Sequence, residues 1–211
     1  MSESTVSESS ATLMVDLIIS LDGYASAEGW PGWWGLEGPE YLAWLEEEGK
    51  KDLTMLMGAN TYRVMSSMSE QALGDESGFS EEEGASLSGL AAMPKVIFSS
   101  TLKEPLAWPN SELVSGDAVE AVKEMKRTRT GTLSTLGSLS LCRSLLTAGL
   151  VDRYRLVVFP VITGKTGHER IYDGYPDVAL ELVDSRTFDG RSQLLEYIPR
   201  VIDGPPGSRQ Q

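Results

Sequence analysis

Four short segments place a carboxylate, hydroxyls or a glycine directly after apolar runs, where strands would end. The first is Ile19-Ser20-Leu21-Asp22-Gly23. A carboxylate at a strand's carboxyl edge can accept a hydrogen bond from a heterocycle's N–H or deliver a proton to a C=N bond under reduction. Asp-Gly also suits a plain turn. The second is Met57-Gly58-Ala59-Asn60-Thr61-Tyr62, which joins an apolar run to a helical pattern. Gly58 lets the backbone approach a ligand, the free N–H groups of a helix start attract phosphate, and Thr61 adds a hydroxyl. The same residues would equally serve as a strand stop with an Asn or Thr cap. The third, Phe98-Ser99-Ser100-Thr101, offers three hydroxyls that suit phosphate or ribose oxygens, or an ordinary polar turn. The fourth, Leu136-Gly137-Ser138-Leu139-Ser140, has the chemistry of dinucleotide sites, with backbone donors at a helix start. It falls short of G-x-G-x-x-G, and one glycine is a weak signal. Three strand ends with the same glycine and hydroxyl chemistry weigh more than any one of them.

Other residues invite a functional reading and offer a plainer one beside it. Trp30, Trp33 and Trp34 sit in a glycine- and proline-rich stretch after the Asp22 strand end, as a lid for a planar substrate or as a hydrophobic plug. Asp16 interrupts an apolar strand pattern and needs a partner or an exposed edge, which favours a structural role. His168 lies in a glycine-rich loop with no Asp or Ser pattern to complete a triad. Cys142 falls on an apolar helix face and suits the core better than nucleophilic chemistry.

The elements that must position these residues alternate. Leu13–Leu21, Leu53–Met57, Lys95–Ser99, Glu112–Ser115, Thr132–Leu136 and Asp152–Pro160 have strand patterns, several apolar throughout as in strands buried on both faces. Helical patterns cover Glu40–Lys51, Thr61–Met68, Ala118–Lys126 behind an Asp117…Glu120 capping box, and Leu139–Ala148. Gln71–Ser88 is acidic and predicts a loop running into a short helix that ends near Ala92. Leu180–Phe188 and Ser192–Pro199, joined by Asp189-Gly190, predict a hairpin. The order implies an α/β fold: a mostly parallel mixed sheet of about eight strands, helices on both faces, and an antiparallel C-terminal hairpin. Ligands of such sheets bind beyond the carboxyl ends of the strands.

Composition narrows the classes. The chain has 211 residues, 41% hydrophobic and 23% charged, which suits a single α/β domain over residues 12–200 with disordered tails at 1–11 and 201–211. The net charge of −13 makes nucleic acid and anionic membrane poor partners. One cysteine and one histidine argue against a metal site. No apolar stretch approaches the roughly 18–20 residues of a membrane span, and the Ser/Glu-rich N-terminus is unlike a signal peptide. These features point to the cytoplasm.

Taken together, I-S-L-D-G, M-G-x-x-T-Y, K-V-x-x-S-S-T-L, L-G-S followed by L-x-x-A-G-L-V-D, L-x-V-F-P-V-I-T-G and L-V-D-S-R-T-F resemble the dihydrofolate-reductase-like family, which includes the C-terminal reductase domain of bacterial riboflavin biosynthesis. The match runs from about Leu13 to Pro199. The resemblance implies NADPH at the strand ends, hydride transfer to a pteridine-like or pyrimidine substrate, and a homodimer. It further implies that Gly58, Thr61, Ser99, Ser100, Gly137 and Ser138 contact the cofactor. Asp22 would be catalytic, with Gly23, Trp30 and Trp33 facing the substrate. The chain departs from the pattern at Ala59, where arginine usually follows the glycine, and at Leu139, where G-S-G would have its second glycine. Arg153 and the Gly164–His168 loop also differ, with Lys165 or Arg170 as substitute positive charge. NADPH, NADH and no dinucleotide therefore stand as alternatives. The expected activity is NAD(P)H-dependent reduction of a small heterocycle by a stand-alone relative. The alternative is a repurposed binding or non-redox protein on the same fold.

Overall fold

The computed structural model describes residues 10–28, 34–72 and 81–205. The elements run β1 (Thr12–Ser20), β2 (Tyr24–Ala27), α1 (Pro39–Gly49), β3 (Leu53–Gly58), α2 (Ala59–Ala72), α3 (Glu81–Ala92), β4 (Lys95–Phe98) and β5 (Ser111–Val114). They continue with α4 (Ala118–Thr128), β6 (Thr132–Thr135), α5 (Leu139–Thr147), β7 (Arg153–Phe159), β8 (Gly167–Arg170), β9 (Val178–Phe188) and β10 (Ser192–Val201). Eight strands form one sheet in the order β5-β4-β3-β6-β1-β7-β10-β9. The first six are mutually parallel, and the β9–β10 hairpin closes the far edge antiparallel. This is the expected architecture.

Side-chain alternation divides the core. Leu13, Val15, Leu17 and Ile19 of β1 pack with Val122 and Met125 of α4 and with Leu141 and Leu145 of α5. Each such burial contributes about 1.5–3 kcal/mol. Ile18, on the opposite face, joins Tyr41 and Trp44 of α1 with Val157 and Phe159 of β7. Met55 and Met57 of β3 meet Tyr62 of α2 on that side too. So α4 and α5 cover one face, while α1 and α2 cover the other.

Three features differ from the sequence reading. Ala11 is buried and its N–H donates to Lys126 O at 3.0 Å, and β10 runs to Val201, so both belong to the domain rather than to tails. Helix α2 extends to Ala72, four residues past its predicted end. The small antiparallel pair β2–β8 was not foreseen. Its strands have four residues each, and Gly167-His168-Glu169-Arg170 has no apolar side chain to reveal a strand. At the start of α4, Asp117 caps as predicted, accepting from Val119 N and Glu120 N at 2.8 and 3.2 Å.

Candidate active-site cleft

The sheet opens between two of its central strands. Strands β1 and β6 pair only as far as Met14↔Ser134. At the next step the Thr135 hydroxyl takes the Asp16 N–H at 3.1 Å, while Leu136 N turns to Leu56 O of β3 at 2.9 Å. A cleft of about 1320 Å³ occupies the divergence, bounded by α1, α2 and α3. That exceeds the usual volume of a small-molecule site, so two ligand moieties could lie side by side.

The two strand–glycine–helix junctions meet at the rim of this cleft. Ser138 Oγ accepts from Gly58 N at 2.8 Å and donates to Thr61 Oγ1 at 2.8 Å. Gly137 and Ser138 both adopt left-handed conformations, φ 54° and 58°. A Cβ on Gly137 would come within 3.3 Å of Thr61 Oγ1, so the backbone here needs glycine for both torsion and space. Below the turn, Cys142 Sγ donates to Gly137 O at 3.2 Å. Its thiol is fully buried and pushed up to about 11 by that burial, which fits a packing role and not a nucleophile.

Because the Ser138 hydroxyl is turned to Gly58 and Thr61, it does not cap α5. The first-turn N–H groups of α5 are left facing a second cavity of about 580 Å³. The two cavities share Asn60, Thr61, Ser138, Leu139 and Glu169 and form one groove. Arg143 and Arg170 line its outer part, with Glu169 and Asp173 opposite in charge. Arg143 Nε is buried without a hydrogen-bond partner, an unusual state for a guanidinium. Glycine backbone, hydroxyls, an uncapped helix start and an unpaired arginine are a donor set that fits the phosphates of a dinucleotide.

The inner end of the cleft has different chemistry. Asp16 and Arg155 are register partners on β1 and β7, on the α1 face. Arg155 donates from Nε to Asp16 Oδ1 at 3.1 Å and from Nη2 to Asp16 Oδ2 at 2.5 Å. Its Nη1 reaches Glu48 Oε2 of α1 at 2.7 Å, and the guanidinium lies 4.8 Å from the Trp44 ring centroid. Burial works to raise the pKa of Glu48, but hydrogen bonds from Lys51 and Arg155 prevail and hold it below the usual carboxylate value. Tyr41 also lines this end. Its ring sits edge-on to Phe159 at 5.4 Å and stacks on Trp44 at 5.7 Å. Burial first, then the Asp16 and Glu37 carboxylates, push its hydroxyl above the ordinary tyrosine range, so it stays a donor at neutral pH.

The structure thus gathers Gly58, Thr61, Gly137 and Ser138 around one groove. Asp22 and Gly23 do not line it, and neither do Ser99 and Ser100. The Asp22 carboxylate accepts from Ser20 Oγ at 2.7 Å, Thr163 N at 3.1 Å and Gly164 N at 2.8 Å, pinning the loop after β7. The Ser20 hydroxyl above all, against the opposing effect of burial and with help from the Gly164 and Thr163 N–H groups, lowers it to about 2. These bonds make Asp22 an anchor of the loop after β7, away from the residues that line the groove. Ser99 Oγ accepts from Thr101 N and Leu102 N, both at 3.1 Å, as a turn former. Trp30 and Trp33 lie outside the described residues. His168 is exposed on β8, where Ser26 Oγ donates to its carbonyl at 3.3 Å.

Sequence reasoning missed Tyr41, Glu48, Arg143 and Arg155, and favoured a structural role for Asp16. A signal existed for one pair. Asp16 and Arg155 are opposite charges, each inside an apolar strand, and a charge there needs a partner. Tyr41 carried no such mark, since its helical spacing suits a core residue equally well.

A mostly parallel sheet split at its centre, with glycine and hydroxyl junctions at the rim, defines a dihydrofolate-reductase-like fold. The chain belongs to the family of the RibD C-terminal domain, whose model matches residues 11–194. Solved structures agree. The chain is similar to a putative riboflavin biosynthesis protein from Shewanella sp. PV-4, with 18% identity, 90% of this chain and 99% of that one covered, and a TM-score of 0.63. It is also similar to the Thermotoga maritima diaminohydroxyphosphoribosylaminopyrimidine deaminase/5-amino-6-(5-phosphoribosylamino)uracil reductase, at 15% identity over 90% of this chain and 57% of that one, TM-score 0.59. Dihydrofolate reductase from Enterococcus faecalis, complexed with NADP(H) and RAB-propyl, matches at 14% identity, 90% and 98% coverage, and TM-score 0.56. At these identities the likenesses carry the fold alone. No curated protein sequence matches the chain. Among the described residues no helix is long and apolar enough to cross a membrane.

Proposed function

We propose that this protein is an NADPH-dependent reductase of a small heterocyclic substrate. The observation that carries the reading is the Gly58–Ser138–Thr61 junction, where two helix starts converge on one rim of the split sheet. Dinucleotide phosphates would lie against the free N–H groups of α5, with Arg143 and Arg170 giving the positive charge that Ala59 does not. The bound nicotinamide would supply the hydride. The chain's own part is orientation and exclusion of water: the junction fixes the dinucleotide, and the apolar walls of α1 and the split strands enclose the substrate. Membership of the RibD C-terminal domain family and the NADP(H)-complexed reductase among the structural relatives support the same reading.

The test is a titration of the intact protein with NADPH and NADH, followed by tryptophan fluorescence. Saturable NADPH binding in the micromolar range is expected, weakened in Thr61→Ala. Absence of binding by either nucleotide at millimolar concentration overturns the reading.

A further inference from the structure

The inner end of the cleft holds an unmet hydrogen-bonding requirement. Tyr41 is 2% exposed, and among the described residues its hydroxyl has no hydrogen-bond partner. Buried tyrosine hydroxyls nearly always find one. This hydroxyl is not among the polar atoms sealed from solvent, so it reaches the cleft that Tyr41 lines. Asp16 lines the same cleft, and its side chain keeps 24% of its surface exposed. A carboxylate has about four acceptor positions, and Arg155 fills two of them. The remainder are not taken by any side chain among the described residues, and Asp16 lines the cleft.

One donor and one acceptor in an apolar-walled cleft match a planar ring edge that carries the complementary acceptor and donor. The surrounding charge then limits what else the ring can bear. Asp16, Glu37, Glu46 and Glu48 line this end, against Lys50 and Arg155. Both cations are already engaged: Lys50 with Glu46 and Glu47 at 3.1 and 2.6 Å, Arg155 with Asp16 and Glu48. Among the described residues, a phosphate here would meet carboxylates and no free cation, a costly desolvation without a counter-charge.

We infer that Asp16 and Tyr41 are the recognition pair for an unphosphorylated heterocycle, Asp16 accepting from an amino or ring N–H group and Tyr41 donating to the adjacent ring nitrogen or carbonyl. The inference rests on the reductase reading for taking this cleft as the substrate side. It sets the chain apart from the phosphoribosyl substrate named in the Thermotoga maritima relative's description.

The experiment is calorimetric titration of the full chain with cytidine and with cytidine 5′-monophosphate, which share the same ring edge and differ only by the phosphate. Cytidine is expected to bind saturably and more tightly than its monophosphate. Tyr41→Phe should weaken cytidine about three- to ten-fold, the worth of one neutral hydrogen bond. Asp16→Asn should weaken it about ten-fold or more, since an acceptor charge is lost. Tyr41→Phe is the safer variant, because its hydroxyl bonds to none of the described residues and the melting temperature should not fall. Equal cytidine affinity in wild type and Tyr41→Phe overturns the pair. So does tighter binding of the monophosphate, or no cytidine binding at all. NADPH affinity, measured on the same samples, should be unaltered by Tyr41→Phe. Loss of NADPH binding by the wild type would sink the reductase reading, while the cytidine arms would still decide the pair.

Discussion

Asp189 and Glu40 cap one another across 149 residues of sequence. Asp189, at the tip of the β9–β10 hairpin, accepts from Glu40 N through Oδ1 at 3.0 Å and from Tyr41 N through Oδ2 at 3.2 Å. Its own N–H donates to Glu40 Oε2 at 2.6 Å. This is the reciprocal logic of a capping box, with the cap supplied by a distant turn instead of the preceding residue. Gly38, the residue at the helix's own N-cap position, has no side chain, and a Cβ there would overlap the Asp189 carboxylate. The hairpin therefore sets the position of α1, and α1 carries Tyr41 and Glu48 into the cleft.

Asp189→Ala is expected to cost about 1 kcal/mol of stability, the usual worth of an N-cap, measured by urea denaturation. Asp189→Asn, which retains an acceptor, should lose less. Equal losses in the two variants would mean that the carboxylate does not cap α1.

Arg155 is 6% exposed and holds two carboxylates, so its removal takes from Asp16 its ion-pair partner and leaves Glu48 to Lys51. Arg155→Met should destabilise by about 3 kcal/mol, because breaking a buried pair strands the remaining charges. The triple variant Asp16→Asn, Glu48→Gln, Arg155→Met should recover much of that loss, since neutral partners no longer need the guanidinium. A triple variant no more stable than Arg155→Met would show that the cost lies in lost packing on Trp44 instead.

Asp22 makes stability depend on acid. Its carboxyl lies at about 2 in the folded chain against an ordinary 3.8, so the unfolded chain binds more protons between these values. The stabilisation is complete above about pH 4 and is lost as pH falls through about 2. The stability difference between wild type and Asp22→Asn should therefore shrink across that window in urea midpoints taken at successive pH values. A constant difference would refute the loop-anchor role. Since Asp22 does not line the groove, Asp22→Asn should keep turnover at neutral pH.

What the sequence made legible followed from local chemistry. Apolar runs such as Leu53–Met57 and the Asp117 cap announce their structures without help from the rest of the chain. The glycine and hydroxyl junctions were visible for the same reason, each being a strand end followed by a helix start. The loop contacts of Asp22 could not be read locally, because Asp-Gly at a strand end looks alike whether the carboxylate faces a ligand or the loop at Thr163. Tyr41 and Arg143 were invisible because their roles depend on what is missing nearby, and a missing partner is a tertiary fact. The capping of α1 by Asp189 is another such fact, since no local pattern links residues so far apart.

Arg143 offers the sharpest check on the dinucleotide end of the groove. It forms no ion pair among the described residues, its Nε is buried and unpartnered, and the guanidinium packs where a Cβ on Gly174 would come within 3.3 Å. If it serves a bound phosphate, Arg143→Ala should weaken NADPH about ten- to a hundred-fold, the range for a charge-assisted hydrogen bond. Arg143→Lys should recover part of that, because the charge remains while the planar fork is lost. Raising salt should weaken NADPH binding to wild type more steeply than to Arg143→Ala, since one phosphate-facing charge is gone from the variant. The rival account makes Arg143 a packing residue against Gly174. That account predicts a lower melting temperature in Arg143→Ala with NADPH affinity and salt dependence unchanged, so affinity and melting measured on the same samples separate the two.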